Sequence, residues 1–320
     1  MTEKISDILA LFGISGDISA ETIDAGHINS TCLVRCGGEK YILQTLSREV
    51  FRYPENIAYN IGSVLRAFSV PGQDFAAVPG FLFHEGNCLV QYGGNYHRVY
   101  RYIRPEGELS PYTAARAFGT FIRVLSDADV KLRQTTDQLH CFEKHLDRLL
   151  SLGKSFEGID ILKDTGAALN GVFDALPKRC IHGDAKPDNL IPGKKIMIID
   201  LDTAMESFPA VDLGDLVRSF CTADSFEEEK FRELCRGFAD GLGGLLTREE
   251  VGSLYYGILW ITGELAARYM YDGISRSGYF KGKTPGQCIM RAESLLRQLR
   301  IFRENEKLMK DIIMSVFRYL

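Results

Sequence analysis

The chain has 320 residues, of which 45% are hydrophobic and 25% charged, and its formal net charge at pH 7 is −4. This size allows one large domain or two lobes with a substantial core, and the lack of a basic excess argues against a nucleic-acid partner. No apolar run approaches the roughly 20 residues needed to cross a bilayer, so we expect no membrane partner.

The N-terminal residues MTEKISDILALFGI carry early charges and the period of an amphipathic helix, without the apolar block of a secretion signal. The eight cysteines are scattered and include no CxxC pair. Unpaired cysteines without a signal segment are typical of a reducing compartment. We therefore expect a cytoplasmic protein, either a monomer or a homodimer.

The first third of the chain predicts mainly β-strands. Alternating apolar residues and the CGGEK turn indicate three strands within residues 20–46. An amphipathic helix follows at residues 54–68 and begins with Pro54. Turns that contain glycine then separate two or three further strands, FLFHE (81–85), NCLVQY (87–92) and YHRVYRYI (96–103).

From Pro111 onward the apolar period is mainly helical. Predicted helices span residues 111–126, 139–153, 162–175, 209–222, 226–243, 247–272 and 284–317. One short β region, within residues 180–206, interrupts this helical part. A β-rich first third followed by a helical remainder predicts an α+β fold with two lobes, residues 1–103 and 104–320.

The stretch CIHGDAKPDNLIPGKKIMIIDLDTAME, residues 180–206, gathers polar groups beside an apolar run. Asn189 lies five residues after Asp184, and Asp200 follows a predicted strand. Phosphoryl transfer in kinase-like enzymes needs a carboxylate for the hydroxyl proton, then an amide and a second carboxylate for Mg²⁺, which prefers oxygen ligands. A polar turn followed by an Asx turn is the structural alternative, but the combined spacing favours the catalytic interpretation.

These residues resemble the aminoglycoside phosphotransferase/choline kinase superfamily and, more narrowly, the N-acetylhexosamine 1-kinases. The specific part is HGDAKPDN followed by IIDLDT. Three weaker stretches occur in the same order: Gly26-His27-Ile28-Asn29, Tyr41-Ile42-Leu43-Gln44 ahead of Phe51 and Pro54, and Arg268-Tyr269-Met270 with Tyr279-Phe280-Lys281. The resemblance spans residues 20–300 and implies a protein-kinase-like fold, with a nucleotide-binding N-terminal lobe and a helical lobe that contains the catalytic loop and the substrate site.

The resemblance implies a role for each residue of the central motif. Asp184 is the implied catalytic base, and Lys186 places a cation near the transferred phosphate. Asn189 and Asp200 are the implied Mg²⁺ ligands, with Asp202 as an additional ligand. The implied cofactors are ATP and Mg²⁺.

Three neighbouring residues are implied to support this loop. His182 is expected to orient the loop and not to react. Asp212 and Asp215 match an acid that braces the loop in the superfamily. Carboxylates at a helix N-terminus are favoured equally well by the helix dipole, so both stay outside the catalytic set.

The N-terminal lobe contributes three further candidates. Gly26 lies at the hairpin that folds over the nucleotide phosphates in kinases. His27 is implied to contact the substrate or a phosphate, and an exposed turn is its structural alternative. Gln44, at the nucleotide-binding position of the third-strand lysine of protein kinases, is neutral. The hexosamine 1-kinases also tend to have glutamine there, so we expect other groups to offset the phosphate charge.

The implied reaction is ATP- and Mg²⁺-dependent phosphorylation of a sugar hydroxyl, most specifically the anomeric hydroxyl of an N-acetylhexosamine. Arg268 and Tyr279 would bind the sugar, while the alternative for Arg268 is a surface salt bridge with Glu264 one turn earlier. Ser30 stands where the hexosamine kinases usually have Asp, and Arg276-Ser277 where they usually have Gly-Asp. These departures lie near the implied sugar site.

Two other hypotheses stay open at this stage. The alternative acceptors are an aminoglycoside, an amino alcohol or another sugar, although basic and neutral residues at the implied site argue against a polycationic aminoglycoside. The other hypothesis is a non-catalytic pseudokinase that serves as a binding module. The absence of the third-strand lysine favours this hypothesis. The presence of Asp184, Asn189 and Asp200 together favours an enzyme.

Overall fold

The N-terminal part of the protein combines one sheet with two helices. The computed structural model describes residues 2–23, 29–47, 50–137 and 139–317. The N-terminal elements are α1 (Thr2–Leu11), β1 (Ile18–Ile23), β2 (Ser30–Cys36), β3 (Glu39–Thr45), α2 (Pro54–Phe68), β4 (Ala76–Ala77), β5 (Val90–Tyr92) and β6 (Asn95–Arg101). The three strands predicted within residues 20–46 and the helix predicted at 54–68 are confirmed.

Strands β1, β2, β3, β6 and β5 form an antiparallel sheet in that order. The middle of β3 and of β6 is buried on both faces of the sheet, and successive side chains of β3 point to opposite faces. Leu43 packs with Val99 and α1 on one face, whereas Ile42 joins the core with α2 on the other. The register places Gln44 directly opposite Arg98 of β6.

The C-terminal part is mainly helical. Its elements are α3 (Pro111–Asp127), α4 (Phe142–Leu150), α5 (Ile159–Leu169), β7 (Arg179–Ile181), β8 (Leu190–Ile191), β9 (Ile196–Ile198), β10 (Met205–Ser207), α6 (Pro209–Phe220), α7 (Glu228–Leu242), α8 (Arg248–Ser275), α9 (Pro285–Glu304) and α10 (Glu306–Val316). Helix α3 packs on α7, and α8 packs on α6 and α9. Their apolar faces, with Phe118, Phe238 and Ile258, form a core that is continuous with the core under α2.

Five short strands bring the polar stretch together. Strand β7 pairs with β10, and β9 pairs with β8 and, in parallel, with β4. The loop at residues 182–189 connects β7 to β8, and the segment 199–204 connects β9 to β10. These pairings place the loop and the segment side by side, which sets the position of every residue in the central motif.

The prediction of a strand at FLFHE is wrong. Phe81 makes a single bridge to Tyr100, and no further ladder follows within this segment. A tight turn ends the segment, because Glu85 and Gly86 both have positive φ. The two other predicted strands occur as β5 and β6, although β5 is short.

Some helix boundaries also differ from the sequence pattern. The predicted helix 284–317 is divided into α9 and α10, because the Asn305 side chain bonds to the Ile301 carbonyl oxygen and ends α9. The predicted helix 139–153 is the shorter α4. The predicted helix 162–175 is shifted to α5, which starts after Gly158 in the left-handed region at a φ of 90°.

The α+β fold class is confirmed, with the sheet in the N-terminal part and the helices in the C-terminal part. The lobe boundary near residue 103 stays a prediction. In the part of the chain that the structure describes, no helix is long and apolar enough to span a membrane.

Candidate active site

Asp212 fixes the backbone of the loop that contains Asp184. Its carboxylate accepts hydrogen bonds of 2.8 Å from the backbone N–H groups of His182 and Gly183. The carboxyl group is fully buried in α6, and this burial raises its pKa to about 6. The structure thus supports the bracing role for Asp212, whereas Asp215 forms an ion pair within its own helix.

Position 183 requires glycine because the backbone there lies very close to the neighbouring segment. Its φ is 76°, and a Cβ atom there would lie 2.5 Å from the Thr203 carbonyl oxygen. Thr203 Oγ1 donates to the His182 carbonyl oxygen at 3.0 Å, and His182 Nε2 pairs with the Ile199 carbonyl oxygen at 2.9 Å. These contacts hold the loop on the segment that carries Asp200, in agreement with an orienting role for His182.

Asp184 accepts the polar contacts at the centre of the loop. Lys186 Nζ lies 2.6 Å from its Oδ2, and Asn189 Nδ2 donates to the same oxygen at 2.9 Å. Burial opposes ionisation, but Lys186 outweighs it and keeps the pKa of Asp184 below its ordinary value. Asp184 is therefore a carboxylate, which suits it to orient a hydroxyl group and to accept its proton in a loose phosphoryl-transfer transition state.

Asp200 has a partly exposed carboxyl group and an unusual backbone conformation. Its φ is 60° and its ψ is 57°, a region that few non-glycine residues adopt and that recurs at functional sites. Its side chain is 39% exposed. Partial exclusion of water is the main reason that its pKa rises to about 7, and repulsion from the neighbouring Asp202 adds to the rise.

The oxygen donors of this site fit Mg²⁺. The Asn189 amide nitrogen is engaged by the side chain and the carbonyl oxygen of Asp184, so its Oδ1 is the atom left for a cation. Asp200 adds an open carboxylate from the adjoining segment, in a region where negative charge accumulates. Mg²⁺ prefers such hard oxygen ligands and takes others from water and nucleotide phosphates. When bound, the ion would offset the charge of those phosphates.

Asp202 is fully buried and held from three directions. Arg98 of β6 donates to both carboxylate oxygens, and Asn29 Nδ2 donates to Oδ2 at 2.7 Å. The Thr135 hydroxyl group donates to the backbone carbonyl oxygen of Asp202 at 2.7 Å. Both side-chain oxygens already accept hydrogen bonds, so Asp202 would have to give up such a contact to bind a metal ion. Its role as an additional metal ligand stays a prediction.

Arg98 is a site residue that the sequence analysis did not single out. Its side chain is 1% exposed, and its Nε donates to Gln44 Oε1 at 2.8 Å. The available signal was an arginine in the middle of a predicted strand between apolar and aromatic residues, because an unpaired charge would be unfavourable there if the strand were buried. Gln44 therefore joins the Arg98 network, while the candidates Gly26 and His27 lie outside the described residues.

The structure brings Arg268 and Tyr279 together at a pocket of about 320 Å³. Arg268 Nη2 donates to the Tyr279 hydroxyl group at 2.8 Å. The pocket adjoins the catalytic loop through Thr203. The lining residues are Val50, Phe51, Arg52, Thr136, Asp137, Leu139, His145, Arg148, Thr203, Arg268, Tyr271, Asp272, Ser277 and Tyr279.

Glu264 connects this pocket to the catalytic loop. The salt bridge to Arg268 is present at 3.8 Å, but Glu264 is 2% exposed, so the pair is not a surface contact. Trp260 Nε1 donates to Glu264 at 3.1 Å, and His140 Nδ1 lies 3.7 Å from it. The other ring nitrogen of His140 pairs with the Gly183 carbonyl oxygen at 2.8 Å. A line of contacts thus joins Arg268 to the residue before Asp184.

Comparison with known families agrees with the architecture of the site. Residues 19–245 match the model of the phosphotransferase enzyme family, APH. This match covers well over half of the chain and includes the catalytic loop, Asp200 and Asp202. The chain belongs to the phosphotransferase enzyme family, and it is a transferase of the kinase type.

Solved structures share the fold over nearly the whole chain. A microcompartment-associated aminopropanol kinase is 14% identical with a TM-score of 0.64, and the match covers 97% of this chain and 99% of that one. A choline/ethanolamine kinase family protein from Mesorhizobium loti is 16% identical with a TM-score of 0.63, over 98% and 99% of the two chains. Spectinomycin phosphotransferase in complex with ADP and spectinomycin is 13% identical with a TM-score of 0.58, over 98% of each chain. At these identities the likeness establishes the shared fold.

Proposed function

We propose that this phosphotransferase is an ATP- and Mg²⁺-dependent kinase that acts on a hydroxyl group of a neutral sugar, with the anomeric hydroxyl of an N-acetylhexosamine as the preferred acceptor. The choice of nucleotide is supported by the spectinomycin phosphotransferase, whose structure contains ADP. The choice of acceptor is supported by the charge and the size of the pocket beside the catalytic loop.

The catalytic loop supplies the groups that the reaction needs. Asp184 orients the acceptor hydroxyl group and takes its proton. Lys186 neutralises Asp184 in the free protein at 2.6 Å and is placed to exchange this contact for the transferred phosphoryl group. Asn189 and Asp200 would hold Mg²⁺ through oxygen atoms. Catalysis of this kind depends on positioning and charge, because the protein forms no covalent intermediate.

The charge of the pocket is the observation that carries the sugar assignment. Three arginines line the described part of the pocket, Arg52, Arg148 and Arg268, together with two carboxylates. Both carboxylates are already engaged: Asp137 accepts a hydrogen bond from Arg52, and Asp272 accepts two from backbone N–H groups. A quaternary ammonium or polyamine acceptor would need opposite charge or an aromatic cage. The Tyr271 and Tyr279 rings of this pocket already lie near cations, Arg148 at 4.1 Å and Arg268 at 5.4 Å. A neutral ligand rich in hydroxyl groups matches the available donors better.

The size of the pocket supports a small acceptor. Its volume of about 320 Å³ lies at the lower end of the roughly 300–1,000 Å³ range for ligand pockets. A monosaccharide suits this volume better than a multi-ring aminoglycoside does. The pocket also borders Tyr279, whose half-exposed ring can cover an apolar group such as an acetyl methyl.

The test is a panel of acceptors measured with Mg-ATP under identical conditions. The panel contains N-acetylglucosamine, N-acetylgalactosamine, glucose and galactose, together with choline, ethanolamine, aminopropanol and spectinomycin. We expect the highest kcat/KM for an N-acetylhexosamine, with ³¹P NMR showing a sugar 1-phosphate. A higher kcat/KM for an amino alcohol or for spectinomycin would overturn the proposal, and Mg-ATP binding without turnover of any acceptor would favour the pseudokinase hypothesis.

A further inference from the structure

The N-terminal sheet offers the site a cation from an unexpected strand. The third-strand position that holds lysine in protein kinases is occupied by the neutral Gln44 in β3. Arg98 lies directly opposite Gln44 on the neighbouring strand β6. Its guanidinium group points to the segment that carries Asp200 and Asp202, so a positive charge reaches the site from one strand further along the sheet.

The contacts of Arg98 define what it does. It donates to both oxygens of Asp202, and its Nη2 lies 3.9 Å from Asp200 Oδ1. Gln44 Oε1 accepts from its Nε at 2.8 Å, and the ring of Phe81 lies 5.7 Å from its Cζ. The side chain is 1% exposed, so it cannot replace lysine by touching the nucleotide from solvent.

Burial of this pair is difficult to explain by stability alone. Taking Arg98 and Asp202 out of water carries a desolvation penalty that offsets most of their attraction, and apolar residues of similar size often stabilise a core as well. The pair does, however, fix the segment next to Asp200 and neutralises one of the two carboxylates there. Without that positive charge, Asp200 and Asp202 would repel each other and the incoming phosphates.

We propose that Arg98 is a positioning residue that replaces the third-strand lysine of kinases. It holds Asp202 as its own counter-ion, so that only Asp200 keeps an accessible carboxylate, and the neutral pair adds no negative charge to repel the phosphates of a bound nucleotide. Gln44 completes the arrangement by accepting from Nε and keeping the guanidinium plane aligned with Asp202. This inference rests on the proposed use of Mg-ATP.

The test measures Mg-ATP binding by calorimetry without any acceptor, together with the melting temperature. Arg98→Gln should weaken Mg-ATP binding by at least about tenfold, because Asp202 would lose its counter-ion and repel the nucleotide phosphates. The matched control is Arg101→Gln on the same strand, because Arg101 is 64% exposed and pairs with the exposed Glu39. The control should bind Mg-ATP as the wild type does. The double variant Arg98→Gln/Gln44→Lys moves the positive charge to the opposite strand. It should recover most of the Mg-ATP affinity that Arg98→Gln loses.

Two outcomes separate a positioning role from a structural one. A lower melting temperature with an unchanged Kd for the folded fraction of Arg98→Gln would overturn the inference. If Arg98→Gln does not fold, Arg98→Gln/Asp202→Asn leaves no buried charge unpaired and is compared with Asp202→Asn alone. Weaker Mg-ATP binding by the double variant supports the inference, and equal binding overturns it. Failure of the wild type to bind Mg-ATP would instead overturn the proposed function.

Discussion

At the scale of single residues, the central motif owes its chemistry to differences in environment among similar side chains. Asp184 is ionised and paired with Lys186. Asp200 is partly exposed and has a pKa of about 7, and the charge of Asp202 is neutralised by Arg98. Asp212, also a carboxylate, serves only backbone N–H groups. Four acids within residues 184–212 therefore differ in charge and in partners, because their surroundings differ.

Replacement of Asp184 by asparagine should lower kcat by about 10²–10⁴, the usual contribution of a positioned base. The fold and Mg-ATP affinity should be retained, since the variant keeps the side-chain shape. Asp188→Asn is the matched control, because Asp188 lies in the same loop and is exposed. Steady-state and single-turnover kinetics make the comparison. Equal kcat values for the two variants, with chemistry rate-limiting, would show that Asp184 is not the base.

Replacement of Arg268 by alanine should reduce kcat/KM for the acceptor by about 10–150-fold, through loss of a charge-assisted contact of about 1.5–3 kcal/mol. The KM for Mg-ATP should change little, because Arg268 lines the pocket proposed for the acceptor. Arg297→Ala, exposed on α9, is the control. Kinetics with each substrate varied in turn will decide the question. Similar losses for both substrates would point to general disruption of the site.

At the scale of elements, the described residues join helix α2 to the C-terminal part through a buried amide and show no ion pair between the two. Asn60 is fully buried; its Nδ2 donates to the carbonyl oxygens of Arg133 at 2.8 Å and Ala204 at 3.2 Å. Its Oδ1 accepts from the Arg133 N–H group at 2.8 Å. In protein kinases a lysine–glutamate pair must be in place between this sheet and its helix. Here an uncharged side chain ties the helix to the segment after Asp202.

Asn60→Ala should lower the free energy of unfolding by about 1–3 kcal/mol for each buried backbone group left without a partner. It should also weaken Mg-ATP binding, because the segment that contains Asp200 loses a support. Asn56→Ala is the control on the same helix, because the Asn56 side chain donates only at the surface, to the Gln134 carbonyl oxygen. Urea denaturation compares the two variants. An equal loss of stability in both would contradict the bracing role of Asn60.

The end of helix α8 organises the loop that presents Tyr279. Asp272 accepts hydrogen bonds from the Ser277 hydroxyl group at 2.5 Å and from the backbone N–H groups of Tyr279 and Phe280 at 3.0 Å. Burial opposes ionisation of Asp272, but these donors outweigh it and lower its pKa below the ordinary value. The charged form therefore belongs to the folded protein and fixes the loop at the edge of the pocket.

The contribution of Asp272 to stability should depend on pH with a definite sign. Because its pKa is lowered on folding, the contribution is complete above the ordinary value of 3.8 and is lost as the pH falls through the folded-state value. The difference in unfolding free energy between the wild type and Asp272→Asn should be constant from about pH 7 to 5 and shrink below about pH 4. Asp311→Asn, exposed on α10, should show no such trend. A difference that grows on acidification would refute this account.

At the scale of the whole molecule, the two parts share one core. Ile42 and Ile61 from the N-terminal part pack in the same apolar cluster as Phe118 and Ile258 from the C-terminal part. The candidate active site lies near the short strands β4 and β9, which pair across these parts. A ligand that contacts both the N-terminal and the C-terminal part should therefore raise the stability of the whole protein.

Saturating Mg-ATP should raise the melting temperature of the whole protein, since a ligand at 100 times its Kd adds about 2.7 kcal/mol of stability when it binds only the folded state. Removal of Mg²⁺ with EDTA should abolish this rise if Asn189 and Asp200 hold the ion. Asp200→Ala should show no Mg²⁺-dependent rise, whereas Glu206→Ala, exposed on β10, should behave as the wild type does. Calorimetry with and without EDTA provides the measurement. An undiminished rise in Asp200→Ala would remove Asp200 from the metal site.

The sequence by itself determined the features that depend on neighbours along the chain. Alternation in β2 and β3, Pro54 at the start of α2, and the spacing of Asp184, Asn189 and Asp200 are local patterns, and the catalytic motif is nearly contiguous. Helix ends were less well defined, because the break at Asn305 depends on a single side-chain hydrogen bond within a continuous apolar period.

Only the tertiary structure decided which distant groups serve the motif. Arg98 meets Asp202 because the sheet register and the packing of the two parts place β6 beside the segment after β9. Asn60 reaches Ala204, and His140 reaches Gly183, by the same packing. A sequence pattern indicates that a polar side chain is buried, but its partner is chosen by the arrangement of elements that lie far apart in the chain. For this reason the phosphotransferase class could be predicted from the sequence, while the contacts that support the site could not.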